Sequence, residues 1–201
     1  MEENIFNNLA KKYDTEDRIE LANIIVVEVK KELEGHAYGS LLDYGGGTGL
    51  VSLELADQFD SVLIADASEQ MVKAAQSKIE SGGLENAETL HLDLTRDYTE
   101  LDADVILVSL VLLHVPDTLG LLKQLYKILN DGGKLIIVDF DKNPEISHPK
   151  VRNGFSREEM ETKLQEAGFE SLHLRTFHHG KNIFMKKDAS LFLASSVKQA
   201  D

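Results

Sequence analysis

The sequence predicts an α/β fold, in which a doubly wound, mainly parallel seven-stranded sheet carries an antiparallel last strand. Apolar strand-length runs alternate with stretches of helical periodicity along most of the 201 residues, which is typical of a parallel sheet covered by helices on both faces. A glycine-rich turn follows the first apolar run, as turns between a strand and a helix often do in such sheets. Near the carboxyl end, two strand patterns follow each other without a helix between them, which favours an antiparallel final pair.

The order of these elements predicts one domain, with an N-terminal helical segment at residues 1–37 and an α/β core at residues 38–201. In residues 4–34 the helical stripe is interrupted at Asp14-Thr15, where we expect a break and a cap between two helices. Further helices are expected at about 48–58, 68–81, 116–129 and 156–167, and strands at about 40–44, 61–66, 88–94, 105–112, 135–138, 171–177 and 189–197.

Composition and charge disfavour several classes of protein. Asp and Glu number 35 against 21 Lys and Arg, and the net charge of −14 disfavours nucleic-acid binding, which depends on basic side chains that neutralise phosphates. The absence of cysteine excludes disulfides and fits a cytoplasmic protein. The longest nearly continuous apolar run, residues 105–113, is too short for a membrane-spanning helix, and the acidic N-terminus shows no secretory signal. We therefore predict a cytoplasmic location and neither a nucleic-acid nor a membrane partner.

Three glycines at alternate positions, Gly45, Gly47 and Gly49, follow the first predicted strand. Glycine allows a positive φ and lets a ligand approach the backbone closely. The spacing differs from the dinucleotide pattern Gly-x-Gly-x-x-Gly, whose third glycine would fall on Leu50 or Ser52 in this chain. The turn therefore favours a nucleoside cofactor other than a dinucleotide.

Carboxylates are predicted at the ends of three successive strands, at Asp43, Asp66 and Asp93. Ligands of open α/β sheets bind beyond the carboxyl ends of the strands, so we expect these acids to lie at a common site. Asp66 follows Gly45 by 21 positions, a separation at which an acid accepts hydrogen bonds from ribose hydroxyls, although it could instead cap the next helix. Asp93 could accept from the exocyclic amine of adenine or cap the turn after it. Such an acidic site suits a cationic ligand better than a pyrophosphate.

These segments resemble the motifs of the class I S-adenosylmethionine-dependent methyltransferases, and the similarity extends over most of the predicted core. It implies a Rossmann-like methyltransferase fold, and its general character is that of the small type 11 group, which includes quinone-ring methyltransferases. The segments that resemble the first four motifs and the helix-to-fifth-strand connection are residues 43–49, 66–71, 92–94, 104–117 and 125–135.

The resemblance implies roles for individual residues toward S-adenosylmethionine. Gly45 and Gly47 would lie against its methionine part, Asp43 would order the turn and the amino group, Gly49 would let the next helix pack closely, and Asp66 would bind the ribose. The remaining cofactor-binding residues that it implies are Ala67 and Met71 of the second motif, Asp93 and Leu94 around the adenine, and Ser109 in the segment that flanks the sulfonium.

Methyl transfer from a sulfonium depends mainly on alignment of the reactants and exclusion of water, so a catalytic side chain is not obligatory. Where a base is needed, His114 is the candidate, because it follows the fourth strand and a histidine suits proton transfer near neutrality; it could instead be hydrogen-bonded at the start of the next helix. Tyr13 and His148 are candidates for a lid formed by the N-terminal segment and the loop 141–155, although Tyr13 could belong to a core stripe. His178 and His179, predicted after the sixth strand, show no spaced ligand pattern, and no metal is predicted.

The leading hypothesis is an S-adenosylmethionine-dependent methyltransferase that acts on a small molecule at O, N or C. A nicotinamide-dependent oxidoreductase would share the sheet and the ribose-binding acid, but the chain lacks an evident Tyr-x-x-x-Lys pair. A non-catalytic S-adenosylmethionine-binding protein is the second alternative. The methyl acceptor and the oligomeric state stay open.

Overall fold

A computed structural model describes residues 13–97 and 99–199 of the chain. The chain folds into two compact units, Met1–Asp93 and Leu94–Asp201. The prediction of one domain stays a prediction.

The first unit is built around three parallel strands. Its β2 pairs with β1, where Leu42 lies opposite Leu63, and with β3, where Ile64 lies opposite Thr89. Its elements are α1 (Glu16–Leu33), β1 (Ser40–Tyr44), a 3₁₀ helix (Ser52–Gln58), β2 (Ser61–Asp66), α2 (Glu69–Gly82) and β3 (Ala87–His91).

Local sequence accounts for the bounds of α2 in this unit. The Ser68 hydroxyl accepts a hydrogen bond from the Met71 amide at 3.3 Å, which satisfies one of the free amide groups of the first turn. Gly83 ends the helix in the left-handed conformation, with φ of 63°. Between these ends, the buried residues recur at helical spacing as Met71, Ala75 and Ile79.

The second unit contains four strands and two α-helices. Its β5 pairs in parallel with β4 and antiparallel with β7, and β7 also pairs antiparallel with β6. Its elements are β4 (Ala103–Ser109), a 3₁₀ turn (Leu112–His114), α3 (Thr118–Ile128), β5 (Leu129–Phe140), α4 (Arg157–Ala167), β6 (Glu170–Phe184) and β7 (Lys187–Val197).

The seven strands follow the sheet order β3-β2-β1-β4-β5-β7-β6. β7 runs antiparallel to both of its neighbours, β5 and β6, which confirms the predicted α/β fold with a mainly parallel sheet and an antiparallel last strand. The central strands β4 and β5 are almost wholly buried, as strands covered on both faces are expected to be.

Two elements near the predicted site differ from the sequence prediction. The helix expected at 48–58 is a 3₁₀ helix that begins only at Ser52, because Gly49 has a φ of 79° and helical dihedral angles cannot begin before it. The fourth strand, expected to reach residue 112, ends at Ser109. Leu110 has a φ of 58°, a left-handed conformation that ends an extended strand and is uncommon outside glycine.

The bounds of three other strands also differ. The third strand ends at His91 rather than at residue 94, so Asp93 follows it by two residues. The fifth and sixth strands are longer than expected, at 12 and 15 residues. His178 and His179, predicted after the sixth strand, therefore lie within β6, opposite Leu191 and Ser190 of β7. β6 lies at the edge of the sheet, where strands commonly carry exposed polar residues.

The N-terminal segment agrees in part with its prediction. The second of the two expected helices is α1, and Thr15 occupies its N-cap position. The first expected helix lies largely outside the described residues, since these begin at Tyr13. Among the helices of the described chain, none combines the length and apolar character that crossing a bilayer requires.

Candidate active site

The glycine turn after β1 is shaped by left-handed backbone at Gly45, Gly47 and Gly49, whose φ angles are 74°, 58° and 79°. A β-carbon at Gly47 would lie 3.8 Å from the ring of Tyr13 and within 4 Å of no other atom of the described residues, so Tyr13 covers this glycine. A β-carbon at Gly49 would lie 2.9 Å from Leu53, so this glycine allows the turn to pack closely against the following 3₁₀ helix. The turn therefore lies beneath the Tyr13 ring at Gly47 and makes a tight contact at Gly49.

Asp66, at the end of β2, is held against this turn. Its Oδ2 accepts a hydrogen bond from the Gly47 amide at 2.9 Å, and its Oδ1 accepts one from the Ser68 amide at 2.7 Å. Burial raises the pKa of Asp66, and these two hydrogen bonds oppose the shift. A carboxylate has about four acceptor positions, so Asp66 keeps capacity to accept from hydroxyls of a ligand while it orders the turn.

Asp43, at the end of β1, is 2% exposed. Its Oδ1 has no hydrogen-bond partner among the described residues, and neither has the buried Ser52 hydroxyl beside it. Burial raises the pKa of Asp43 to about 7; the nearby Ser52 hydroxyl opposes this shift and the charge of Asp66 adds to it. A β-carbon at Gly46 would lie 2.7 Å from the Asp43 carboxyl carbon, so the turn passes directly over this carboxyl group.

Tyr13 lies over the turn and is fixed by Arg18. The Arg18 guanidinium stands 4.1 Å from the centre of the Tyr13 ring, and one of its amino groups donates to the Tyr13 carbonyl at 3.0 Å. Burial raises the pKa of Tyr13, although the charge of Arg18 opposes the change. The sequence left a lid role and a core role open for Tyr13; its ring is half-buried near Gly47, and its role stays a prediction.

The other site residues predicted in the first unit have more varied surroundings. Ala67 is exposed, and its carbonyl oxygen accepts a hydrogen bond from Nε2 of His91 at 3.0 Å. The Met71 side chain is 1% exposed and belongs to the core face of α2. Asp93 is half-buried. The roles expected of these residues toward a cofactor stay predictions.

In the second unit, the residues after β4 form a constrained turn. Ser109 ends the strand, and the left-handed Leu110 donates its amide hydrogen to the Val138 carbonyl at 2.8 Å. His114 ends the short 3₁₀ turn and is half-buried, and its pKa is lowered by burial and by the neighbouring His148, which is exposed in the loop 141–155. A lowered pKa keeps His114 neutral near pH 7, the state in which a histidine accepts a proton. Leu94, predicted beside the adenine, is buried in this unit.

Asp139, near the end of β5, was not predicted and supports this turn. It is fully buried, and its carboxylate accepts from the amides of Phe140 at 2.8 Å and Leu113 at 3.3 Å. Burial raises its pKa to about 7, with the backbone hydrogen bonds and the charge of Arg152 opposing the change. Arg152 in turn donates its backbone amide to the Leu113 carbonyl at 2.9 Å. The sequence signal was only an acid that ends an apolar run, as at Asp43 and Asp66.

Within the described residues, no group of three or more His, Asp or Glu side chains is arranged to hold a metal ion. His178 is half-buried on β6, and the Nδ1 of His179 lies 2.6 Å from the Ser190 hydroxyl. The prediction that the protein uses no metal stays a prediction.

Comparison with known proteins decides the family. A family model described as a methyltransferase domain matches residues 20–174, which covers the strand-end acids and the glycine turn. The chain belongs to the class I S-adenosylmethionine-dependent methyltransferases. A solved S-adenosylmethionine-dependent methyltransferase from Aquifex aeolicus has the same fold, with a TM-score of 0.70 and 22% sequence identity over 95% of this chain and 97% of that one.

Two curated methyltransferases are similar in sequence to parts of this chain. The tRNA 5-carboxymethoxyuridine methyltransferase of Escherichia coli K12 is 29% identical over 118 residues, which are 57% of this chain and 45% of that protein. The ubiquinone/menaquinone biosynthesis C-methyltransferase of Azotobacter vinelandii is 26% identical over 160 residues, 76% of this chain and 63% of that protein. The chain therefore spans roughly half to three fifths of the length of these relatives.

Proposed function

We propose that this protein transfers a methyl group from S-adenosylmethionine to a small-molecule acceptor at an O, N or C atom. Membership of the family supports the reaction class and the cofactor. At the level of single residues, the proposal rests on the hydrogen bond from the Gly47 amide to the Asp66 carboxylate, at 2.9 Å, in the glycine turn beneath Tyr13. A nicotinamide cofactor is disfavoured by the family and by the missing third glycine of the dinucleotide pattern.

The residues of the first unit fit this cofactor in charge as well as in shape. S-adenosylmethionine carries a sulfonium and an ammonium group and no phosphate. Asp43 offers a buried carboxyl oxygen without a partner, and Asp66 offers spare acceptor positions. A cation beside Asp43 would favour its ionised form and so offset the cost of burying that charge. A pyrophosphate would meet the same two carboxylates with unfavourable charge.

Bound S-adenosylmethionine would supply an activated methyl group with a good leaving group. In our proposal, Gly45, Gly47 and Asp43 hold the methionine part, Asp66 holds the ribose, and Tyr13 keeps water from the face above Gly47. His114 ends the turn Leu112–His114 and has a lowered pKa, which would suit it to remove a proton from an acceptor that arrives protonated. An acceptor that arrives ionised would not need this base.

Calorimetric titration with S-adenosylhomocysteine and with NAD, on the wild type and on Asp66→Ala, tests the proposal. We expect the wild type to bind the homocysteine compound and not NAD. Asp66→Ala should weaken binding by roughly 100-fold, because it removes charge-assisted hydrogen bonds of about 1.5–3 kcal/mol. Exposed Asp57→Ala is the matched control and should bind as the wild type does. Binding of NAD alone would refute the proposal, whereas cofactor binding without methyl transfer to any acceptor would favour a non-catalytic role.

A second candidate acceptor is RNA, which a local charge pattern supports. Residues 171–187 contain no Asp or Glu, although acids outnumber bases in the whole chain. The segment places exposed lysines at Lys181, Lys186 and Lys187 on the hairpin of β6 and β7, and one similar protein is named as a tRNA methyltransferase. Charged residues also protect an edge strand from pairing with other chains, so the pattern does not require a partner. The small-molecule acceptor remains our proposal because the net charge of −14 opposes RNA elsewhere.

A further inference from the structure

Beside the glycine turn, three polar side chains from distant parts of the sequence form a closed network. The Asp14 carboxylate accepts from the Thr48 hydroxyl at 2.6 Å and pairs with the Lys78 ammonium group at 2.6 Å. Lys78 also donates to the Thr48 hydroxyl oxygen at 3.1 Å. Thr48 is buried at 1% exposure, and the two charged side chains are about one-third exposed. Each of the three groups therefore contacts the other two.

This network joins three elements of the cofactor site. Asp14 directly precedes the cap of α1, Thr48 lies between Gly47 and Gly49 in the turn, and Lys78 projects from α2. Tyr13 is the neighbour of Asp14 in the chain, so the position of Asp14 restricts the position of the Tyr13 ring over Gly47. Arg18 fixes the same tyrosine from the side of α1.

We propose that Lys78, Asp14 and Thr48 are positioning residues for the cofactor, acting as a latch that holds Tyr13 over the glycine turn. This inference rests on the proposed binding of S-adenosylmethionine at that turn. The latch is an ion pair with a shared hydroxyl, so it should weaken when either charge is removed and when salt screens the pair. It slows escape of a bound ligand because Tyr13 cannot move away while Asp14 is held.

The same helix provides a matched control. Lys73 of α2 forms an exposed ion pair with Glu69 at 3.5 Å, one turn away along the helix, and both side chains are more than 60% exposed. Exposed ion pairs of this kind contribute little to the stability of the folded protein. Lys73→Met therefore removes a lysine and an ion pair from α2 without touching the latch, whereas Lys78→Met removes the latch and keeps most of the aliphatic side chain.

Dissociation of S-adenosylhomocysteine, followed by surface plasmon resonance, gives the first test. We expect Lys78→Met and Thr48→Val to release the ligand about tenfold faster, the ratio that loss of one charge-assisted contact produces. Thr48→Ser, which keeps the hydroxyl, and Lys73→Met should release it at the wild-type rate. Raising NaCl from about 50 to 500 mM should speed release from the wild type but not from Lys78→Met. Equal release rates for Lys78→Met and the wild type, both folded by circular dichroism, would overturn the proposal.

A second measurement needs no ligand. The chain contains no tryptophan, so Tyr13→Trp introduces a single tryptophan above Gly47, whose emission can be excited selectively. Adding Lys78→Met to this variant should shift the emission to longer wavelength and increase quenching by acrylamide, and adding Lys73→Met should do neither. Unchanged emission in both double variants would refute the latch. If the wild type fails to bind S-adenosylhomocysteine while the emission shifts as expected, the latch exists but the proposed function is wrong.

Discussion

The buried carboxyl group of Asp43 should make the stability of the protein depend on pH. Its pKa is raised from 3.8 to about 7, so between these values the folded protein holds a proton that the unfolded chain has released. The free energy of unfolding must therefore fall as the pH rises through this window and level off above it. Asp43→Asn removes this dependence, and we expect its stability relative to the wild type to increase by up to about 3 kcal/mol between pH 5 and pH 8. Urea unfolding at the two pH values measures the change.

Two controls separate this effect from a general gain in stability. Exposed Asp57→Asn should leave unfolding unchanged at both pH values. Asp139→Asn should destabilise the protein at pH 5, because the Asp139 carboxylate accepts backbone hydrogen bonds from Leu113 and Phe140 that an amide can accept only in part, whereas the Asp43 Oδ1 accepts none. Burial also raises the pKa of Asp139 to about 7, so the stability of this variant relative to the wild type should likewise increase as the pH rises. A constant difference between Asp43→Asn and the wild type from pH 5 to pH 8 would show that Asp43 is ionised throughout.

Single residues were predictable from the sequence where a local pattern marked them. The strand-end acids Asp43 and Asp66 followed from their place after apolar runs and beside alternate glycines. The contact of Asp14 with Lys78 could not be predicted, because no periodicity relates residues 64 positions apart. The unpartnered Oδ1 of Asp43 likewise depends on how neighbouring chains pack around it, which a single sequence does not state.

Whole elements were predicted best where their ends carried turn residues or acids. Strands β1 and β2 have the predicted bounds, since each is an apolar run that ends at an acid or beside glycine. The Ser156 cap of α4 was also expected, and its hydroxyl accepts from the Glu159 amide at 3.1 Å. The length of β6 was missed because its exposed, polar residues resemble a loop, and only its pairing with β7 makes them a strand.

The hairpin of β6 and β7 carries the prediction that separates the two acceptor classes. We expect the wild type to bind tRNA only weakly at about 150 mM salt, as a small-molecule enzyme of net charge −14 should. If RNA is the acceptor, the triple variant K181Q/K186Q/K187Q should weaken binding and reduce the dependence of log affinity on log salt by roughly 2, since each phosphate contact on a single strand contributes about 0.7. Fluorescence anisotropy with labelled tRNA measures both quantities.

A control variant must show that weaker tRNA binding by the hairpin variant is not caused by the loss of positive charge alone. The variant K31Q/K73Q/K123Q removes the same charge from exposed lysines outside the hairpin and serves as the control. Tight tRNA binding that only the hairpin variant weakens would replace our small-molecule proposal with RNA. Equal, weak binding by all three proteins would exclude the hairpin as an RNA contact.

At the scale of the whole molecule, cofactor binding should appear as a gain in stability. A ligand that binds only the folded state stabilises it by about 2.7 kcal/mol at 100 times its Kd, which for a chain of this size corresponds to a rise in Tm of roughly 5–10 °C. We expect this rise with S-adenosylhomocysteine and none with NAD. Because the chain is predicted to be a single domain, near- and far-ultraviolet circular dichroism should show the same single unfolding transition, and the ligand should shift it to a higher temperature. Two transitions, with only one raised by the ligand, would instead show that the units Met1–Asp93 and Leu94–Asp201 unfold separately and that the ligand stabilises one of them.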